Sequence, residues 1–165
     1  MTEAMINDEH NFSLLSDLIR RAKDCGADAA DAVLVKSRAL SFTCRLGKQE
    51  QIERSESSDL GLRVFIGKRQ AVASSSDLTP VALDELAGRA VAMARVVPDD
   101  PYCGLAEPEL LAPDVPDVDS CDTAEPSTET LFAQAAATED AARAVPGITN
   151  SEGASASWAL TRSTI

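Results

Sequence analysis

The chain has 165 residues, of which 44% are apolar and only 4% aromatic, and its formal net charge is −12. A chain this negative repels phosphate backbones, so the composition argues against direct nucleic-acid binding. No stretch approaches the roughly 18 apolar residues of a membrane span, and the acidic N-terminus lacks the pattern of a secretory signal. The cysteines are widely spaced without CxxC pairs, which favours reduced thiols. We therefore expect a cytoplasmic protein that neither binds nucleic acid directly nor enters a membrane.

The first predicted element is an amphipathic helix over residues 12–25, where apolar side chains recur at helical spacing. Asn11 or Ser13 can cap its start, because both residue types accept hydrogen bonds from free backbone N–H groups. Gly26 follows its end, where a left-handed residue often terminates a helix. His10, the single histidine of the chain, is expected in a solvated tail ahead of this helix.

A region rich in strand patterns comes next. Residues 32–35 form a short apolar run, and residues 40–46 alternate apolar and polar side chains with the period of a half-buried strand. A turn at Gly47-Lys48 and another at residues 57–59 would then enclose a polar, edge-like strand at residues 51–57.

A hairpin and a helix are predicted after these strands. The sequence predicts two antiparallel strands, residues 60–66 and 70–75, joined by a turn at Gly67-Lys68. They are predicted to be antiparallel because so short a connection cannot join parallel strands. The helix then covers residues 80–97, with Pro80 at its first position and with Asp77 or Thr79 as its cap.

The remainder of the chain changes character. Residues 98–126 contain six of the eight prolines and no basic residue, which is typical of an extended acidic connector. A second alanine-rich helix is predicted at residues 127–144, and a strand, a turn at residues 150–153 and another strand should follow. The chain stops inside an apolar-polar alternation, which indicates a truncated C-terminal region.

These elements predict an α+β fold with an antiparallel sheet of about four or more strands, covered by two or three helices. We expect residues 1–97 to form an N-terminal domain of helix, sheet and helix. Residues 98–126 would form the connector, and residues 127–165 a helix with the start of a further strand region.

One stretch matches the spacing of a phosphate-binding loop. Residues 61–68, GLRVFIGK, fit GxxxxGK, but Arg69 stands where the Ser or Thr that binds magnesium is required. The residues between the two glycines favour an extended strand and leave no room for a loop that wraps a phosphate. The hairpin interpretation is therefore preferred.

The sequence shows no catalytic or metal-binding set. His10 is remote from any motif, so a serine or cysteine nucleophile has no credible base. One histidine and four scattered cysteines do not match a zinc ligand pattern. The GASAS stretch at residues 153–157 lacks the second glycine of GxSxG. We assign no catalytic, metal-binding or cofactor-binding residue to this chain.

The chain resembles the N-terminal part of the TldD/PmbA family, and the PmbA branch, also called TldE, more closely. The similarity spans about residues 25–160 and rests on three stretches in the expected order: GLRVFIGKRQAVASSSDLTP, AVAMARVVPDDPYCGLAEPELLA and ITNSEGASAS. Family members are described as cytoplasmic modulators of DNA gyrase, and TldD and PmbA pair into a zinc metalloprotease complex that acts on small unfolded peptides. The resemblance implies that the HExxxH zinc helix belongs to TldD and lies downstream of this region. No catalytic or metal residue of the family can therefore be carried onto this chain.

The resemblance implies the N-terminal domain of a non-catalytic subunit that works with a TldD-like partner or self-associates, and that carries no cofactor of its own. A sheet edge can recruit an extended peptide by strand addition, so we expect the polar strand to help frame a peptide channel. Gln51 and Glu53 on that strand, and Lys68 and Arg69 at the hairpin tip, are candidate contacts with a peptide or partner. For Lys68 and Arg69, solvated tip charges are the preferred interpretation. Two alternatives stay open: an autonomous protein–protein interaction module without a protease connection, and an acidic regulator of DNA gyrase.

Overall fold

The computed structural model of the chain describes residues 8–114, 116–119, 121–122 and 124–165. These residues form three α-helices and four β-strands, and the strands make one antiparallel sheet with the order β3-β2-β1-β4. The predicted α+β fold is therefore confirmed. In chain order the elements are α1 (Asp8–Asp24), β1 (Ala29–Arg45), β2 (Lys48–Ile66), β3 (Arg69–Ser75), α2 (Pro80–Val96), a short 3-10 helix (Pro108–Leu110), α3 (Thr128–Arg143) and β4 (Ala154–Thr164).

The predicted hairpin is confirmed as β2 and β3. Their antiparallel register runs from the pair Leu60 and Ser75 to the pair Ile66 and Arg69. Gly67 opens the connecting turn with a φ of 57°, a left-handed conformation that glycine adopts without steric cost. A two-residue turn between paired strands has no room for a phosphate, so the GxxxxGK spacing in this chain is a coincidence.

The turn predicted at residues 57–59 is wrong. β2 continues through those residues and is 19 residues long, and β1 joins the two predicted segments at residues 32–35 and 40–46 into one strand of 17 residues. The two long strands are neighbours in the sheet. Pairing with β1 supplies backbone hydrogen bonds to β2, and this outweighs the turn preference of a short polar tripeptide.

The predicted start of the first helix is also wrong, because α1 begins at Asp8. His10 therefore lies on a helix and not in a tail. Asn11 does not cap the helix: it is buried within it, and its Oδ1 accepts a hydrogen bond from Lys36 Nζ at 2.9 Å. The predicted end is confirmed, since Gly26 has a φ of 103° and donates a hydrogen bond to the Lys23 carbonyl.

Of the two strands predicted at the C-terminal end, only the second forms. Residues 148–153 contain no strand, and β4 begins directly after them at Ala154. The backbone is instead folded locally: Ser151 Oγ accepts a hydrogen bond from Gly153 N at 2.9 Å, and Gly153 has a φ of 102°. A side chain that bonds its own backbone two residues on competes with strand pairing.

The chain divides into two compact units. The first consists of Met1–Lys36, Ser57–Val118 and Arg162–Ile165. In its described residues, α1 and α2 supply apolar side chains to the same buried cluster as β1, β2 and β3. Thr79 caps α2 by accepting a hydrogen bond from Ala82 N at 3.4 Å, as one of the two predicted alternatives. The predicted apolar stripe of α2 lies in this core through Leu83, Leu86, Ala87, Ala90, Val91 and Ala94.

The second unit consists of Ser37–Glu56 and Asp119–Thr161. Its smaller core holds Leu40 and Phe42 of β1 and Leu131 of α3, with Phe132, Ala156 and Trp158 packed against them. Ser127 caps α3 by accepting a hydrogen bond from Thr130 N at 3.2 Å. The predicted boundaries at residues 97 and 126 stay predictions. Within the residues described, no helix has the length and apolar character needed to cross a membrane.

Candidate functional site

The candidate site is the outer edge of β2 at residues 48–56, in the second unit. β3 pairs with β2 only as far as Leu60, and β1 is the neighbour of β2 on its other side. Among the described residues, therefore, no strand pairs with this stretch on the side away from β1. All nine of its residues are exposed. Such an edge presents backbone N–H and C=O groups that are able to pair with another extended chain.

Gln51 and Glu53, two of the predicted contact residues, lie on this edge strand and are exposed. Arg54 is the next residue, and it donates a hydrogen bond to Glu125 Oε1 at 2.8 Å. Arg38 of β1 lies 3.8 Å from the same carboxylate. The cation of Arg54 is therefore already engaged, whereas Gln51 and Glu53 face solvent and are available for contact.

Lys68 and Arg69, the other two predicted contact residues, belong to the first unit. They contact the end of α2 and the start of the predicted acidic connector. Lys68 donates from Nζ to the Cys103 carbonyl at 3.3 Å. Arg69 pairs with Asp99 at 2.6 Å and donates to the Arg95 carbonyl at 3.1 Å. These contacts give both basic side chains a structural role, and their predicted contact with a peptide or partner stays a prediction.

A groove beside the edge was missed by sequence reasoning. It has a volume of about 270 Å³ and is lined by Phe42, Gln49, Ile52, Thr128, Glu129 and Phe132. Its apolar wall includes the edge-to-face ring pair of Phe42 and Phe132, whose centroids lie 5.1 Å apart. Ile52 is 43% exposed, and it is the single apolar residue in the polar first half of β2. That lone isoleucine was the signal that the sequence contained.

The turn that leads into the edge strand is held by a buried carboxylate. Leu46 and Gly47 have φ values of 49° and 70°, the pair of left-handed residues expected in a tight hairpin turn. Glu139 of α3 accepts hydrogen bonds from Gly47 N at 3.0 Å and Leu46 N at 2.7 Å. These two N–H groups lower the pKa of Glu139 to about 2. Burial, and then the nearby Glu139 charge, raise the pKa of the Cys44 thiol.

The described residues do not fit a zinc site. No group of three or more histidine, cysteine, aspartate or glutamate side chains among them is close enough to hold a metal ion. The four cysteines are free, with Cys44 and Cys103 buried and Cys25 and Cys121 exposed. The chemistry that the described residues offer is backbone pairing, an apolar groove and exposed carboxylates.

Comparison with known proteins agrees with the resemblance seen in the sequence. Residues 30–94 match the family model for PmbA/TldA metallopeptidase domain 1. The chain is 38% identical over 130 residues to the metalloprotease PmbA of Escherichia coli O157:H7. That match covers 78% of this chain and 29% of the relative, so the chain spans less than a third of that relative's length.

Solved structures share the fold. A crystal structure from Bacteroides thetaiotaomicron, described as that of a modulator of DNA gyrase, matches with a TM-score of 0.77 and 21% identity, over 96% of this chain and 36% of that one. TldE from Thermococcus kodakarensis matches with a TM-score of 0.66 and 19% identity, over 92% of this chain and 34% of that one. Together with the sequence matches, these similarities show that the chain belongs to the TldD/PmbA family and corresponds to its N-terminal domain.

Proposed function

We propose that this chain is the N-terminal domain of a non-catalytic, PmbA/TldE-like subunit of a cytoplasmic, TldD-type zinc metalloprotease complex that acts on small unfolded peptides. The proposal places zinc on the TldD-type partner and the peptide-handling surface on this chain. The partner is a TldD-like subunit or a second PmbA-like chain, and neither nucleic acid nor a membrane is engaged directly.

The observation that carries the proposal is the β2 edge at residues 48–56. β3 does not extend along it, and all nine of its residues are exposed. An unfolded peptide shares only its backbone with other unfolded peptides, so a surface that serves many of them has to recognise backbone groups. Strand addition does so, and it tolerates many sequences because the hydrogen bonds do not involve side chains.

The family membership of the chain supports the same assignment. A relative named as a metalloprotease covers 78% of the chain at 38% identity, and a TldE structure shares the fold. In this proposal the exposed β2 edge gives the domain a role in binding and positioning. The chemistry would then belong to another subunit.

Reconstitution tests this proposal. The chain and a TldD-type subunit are mixed, and the stoichiometry is measured by light scattering after size exclusion, with zinc content and cleavage of an unstructured peptide as further readouts. We expect a defined complex, zinc that follows the TldD-type subunit, and no cleavage by the chain without its partner. Stoichiometric zinc or cleavage in the isolated chain, or a failure to associate, would contradict the proposal.

A second candidate function is an acidic regulator that binds DNA gyrase. It is favoured by the net charge of −12 and by the structural match to a protein described as a modulator of DNA gyrase. Binding through charge mimicry weakens steeply with salt. Titration of purified gyrase with the chain at low and high salt tests it, and the absence of binding at low salt would remove it.

A further inference from the structure

The groove lies next to the β2 edge, and both belong to the second unit. Ile52 and Gln49 of the edge strand form one part of the groove lining, and Thr128, Glu129 and Phe132 of α3 form another. A chain that paired with the backbone at residues 48–56 would therefore run alongside the groove. Side chains of an added strand point alternately to the two faces of the sheet, so those on one face would meet this groove.

The size of the groove suits one side chain. Its volume of about 270 Å³ lies just below the roughly 300–1,000 Å³ of sites that hold whole small-molecule ligands. Phe42 and Phe132 meet there edge to face, and Ile52 remains 43% exposed beside them. Covering these apolar surfaces with a bulky apolar side chain would remove them from water.

The charges along the edge strand indicate which other side chains a bound peptide should carry. Glu50, Glu53 and Glu56 are exposed along the edge strand, and within the described residues none of them forms an ion pair. Arg54 is engaged by Glu125. Glu129 adds a further carboxylate at the groove, and hydrogen bonds from its own backbone N–H and from Ser127 lower its pKa. Lys48 is then the one cation of the edge strand that is not held by a carboxylate in the described residues.

We propose that the edge of β2 and its groove bind an extended, cationic peptide segment by strand addition, with one bulky apolar side chain of the peptide in the groove. This inference rests on the proposed function and names the class of peptide that the surface prefers. Complementary charge increases the rate of encounter and the selectivity, while the backbone pairing supplies affinity that depends little on sequence.

A second copy of this chain is a poor occupant by the same reasoning. Each β2 edge carries three glutamates, Glu50, Glu53 and Glu56, against Lys48 as the one cation that is not held by a carboxylate in the described residues, so two such edges have the same sign of net charge. Like charges across paired strands are destabilising, and the net charge of −12 on each chain adds to the repulsion. A basic segment from another molecule would instead place its cations near these glutamates, which is favourable.

Peptides with a fluorescent label test the proposal through their affinity for the chain. The reference peptide is as long as residues 48–56 and alternates lysine and threonine around a central phenylalanine. We expect about tenfold weaker binding when glutamate replaces lysine, since several exposed charge contacts are reversed. Alanine in place of phenylalanine should weaken binding about fivefold. Methylation of alternate backbone nitrogens should abolish binding, because it removes the donors that pair with the edge.

Variants of the chain locate the site. Glu50→Lys combined with Glu53→Lys should weaken binding of the reference peptide about tenfold, and Ile52→Thr should remove the preference for phenylalanine over alanine. Glu85→Lys changes an exposed carboxylate on α2 of the first unit and serves as the matched control with unchanged affinity. The N-methylated peptide acts on the wild-type chain, so that arm does not depend on how a variant folds.

Three results would overturn the proposal. One is equal affinity for the lysine and glutamate peptides, and another is binding that survives backbone methylation. The third is protection of the edge from hydrogen exchange by a second copy of the chain in place of the peptide. These readouts use the chain without a TldD-type subunit. A failure of peptide binding is therefore distinguishable from a failure to assemble, which concerns only the proposed function.

Discussion

Glu139 and Gly47 are 92 residues apart in the sequence, and a hydrogen bond of 3.0 Å joins the carboxylate of one to the backbone N–H of the other. Glu139 Oε1 accepts a second bond from Leu46 N at 2.7 Å. The helix α3 thus holds the β1–β2 turn through a side chain that is only 1% exposed. A buried carboxylate is tolerated where backbone donors replace its lost hydration. Here both donors belong to the β1–β2 turn, so the carboxylate stabilises the conformation of that turn.

Replacing Glu139 should therefore destabilise the second unit. Glu139→Ala leaves the two turn N–H groups without their acceptor, and we expect the melting temperature to fall by about 5 °C or more. Glu139→Gln keeps one acceptor oxygen, so the melting temperature of this variant should fall by less. Circular dichroism melting measures both, with Glu129→Gln at the exposed start of α3 as the control. A Glu139→Ala chain that melts like the wild type would contradict the role of this contact.

Acid should remove the same stabilisation in a defined pH window. The pKa of Glu139 is about 2 in the folded chain, against an ordinary value of 4.5. A lowered folded-state pKa means that the contribution is fully present above pH 4.5 and is lost as the pH falls toward 2. We expect the difference in melting temperature between wild type and Glu139→Gln to shrink across that window. A difference that stays constant with pH would refute the linkage, and this comparison cancels other acids that titrate in both chains.

Two glycines of the second unit separate backbone strain from steric contact. Gly47 and Gly153 have φ values of 70° and 102°, so alanine is strained at either position. A Cβ at Gly47 would meet nothing within 4 Å, whereas a Cβ at Gly153 would lie 2.7 Å from the Cys44 carbonyl oxygen. We expect Gly47→Ala to cost about 1–2 kcal/mol and Gly153→Ala more than about 3 kcal/mol. Equal losses in urea unfolding would show that the close approach at Gly153 is not important.

The stability of the first unit depends on an apolar core that includes side chains of β2. Leu62 of β2 is 0% exposed and belongs to the main apolar cluster, whereas Val72 of β3 is 62% exposed. Leu62→Ala should reduce the free energy of unfolding by about 2–5 kcal/mol, because it loses buried apolar surface and leaves a cavity. Val72→Ala removes a comparable type of side chain from the surface and should cost less than about 1 kcal/mol. Denaturant titration compares them, and similar losses would argue against the assigned core.

Elements with local signals were predictable from the sequence. α2 carries its signals within a few residues: Thr79 and Pro80 mark the start, and the apolar stripe keeps helical spacing to the end. The hairpin of β2 and β3 was equally local, since two apolar runs flank the turn at Gly67. In both cases the residues that define the element are close together in the sequence, so the local pattern is sufficient to predict it.

The rest could not be predicted because distant partners decide it. The polar residues 57–59 resemble a turn, yet β1 keeps them in a strand. Glu139 continues the buried stripe of Leu131 and Ala135, and nothing near it in the sequence reveals the turn amides that it binds. The groove likewise combines Phe42, Ile52 and Phe132 from three separate elements. Ile52 hinted at it, but a single apolar residue in a polar strand has no interpretation without its neighbours in space.

The strand order also has a consequence for how the chain folds. β1, β2 and β3 are consecutive and joined by two-residue turns, whereas β4 reaches β1 only after the whole intervening chain: Ser37 and Thr161, whose side chains hydrogen-bond across these strands, are 124 residues apart. Closing so large a loop costs more entropy than closing a hairpin. The three-stranded meander should therefore gain protection first in pulse-labelled hydrogen exchange, and β4 last. The sheet therefore has an edge at β3 that forms early and an edge at β4 that forms late, and during synthesis the second edge cannot form before residues 154–164 have been made.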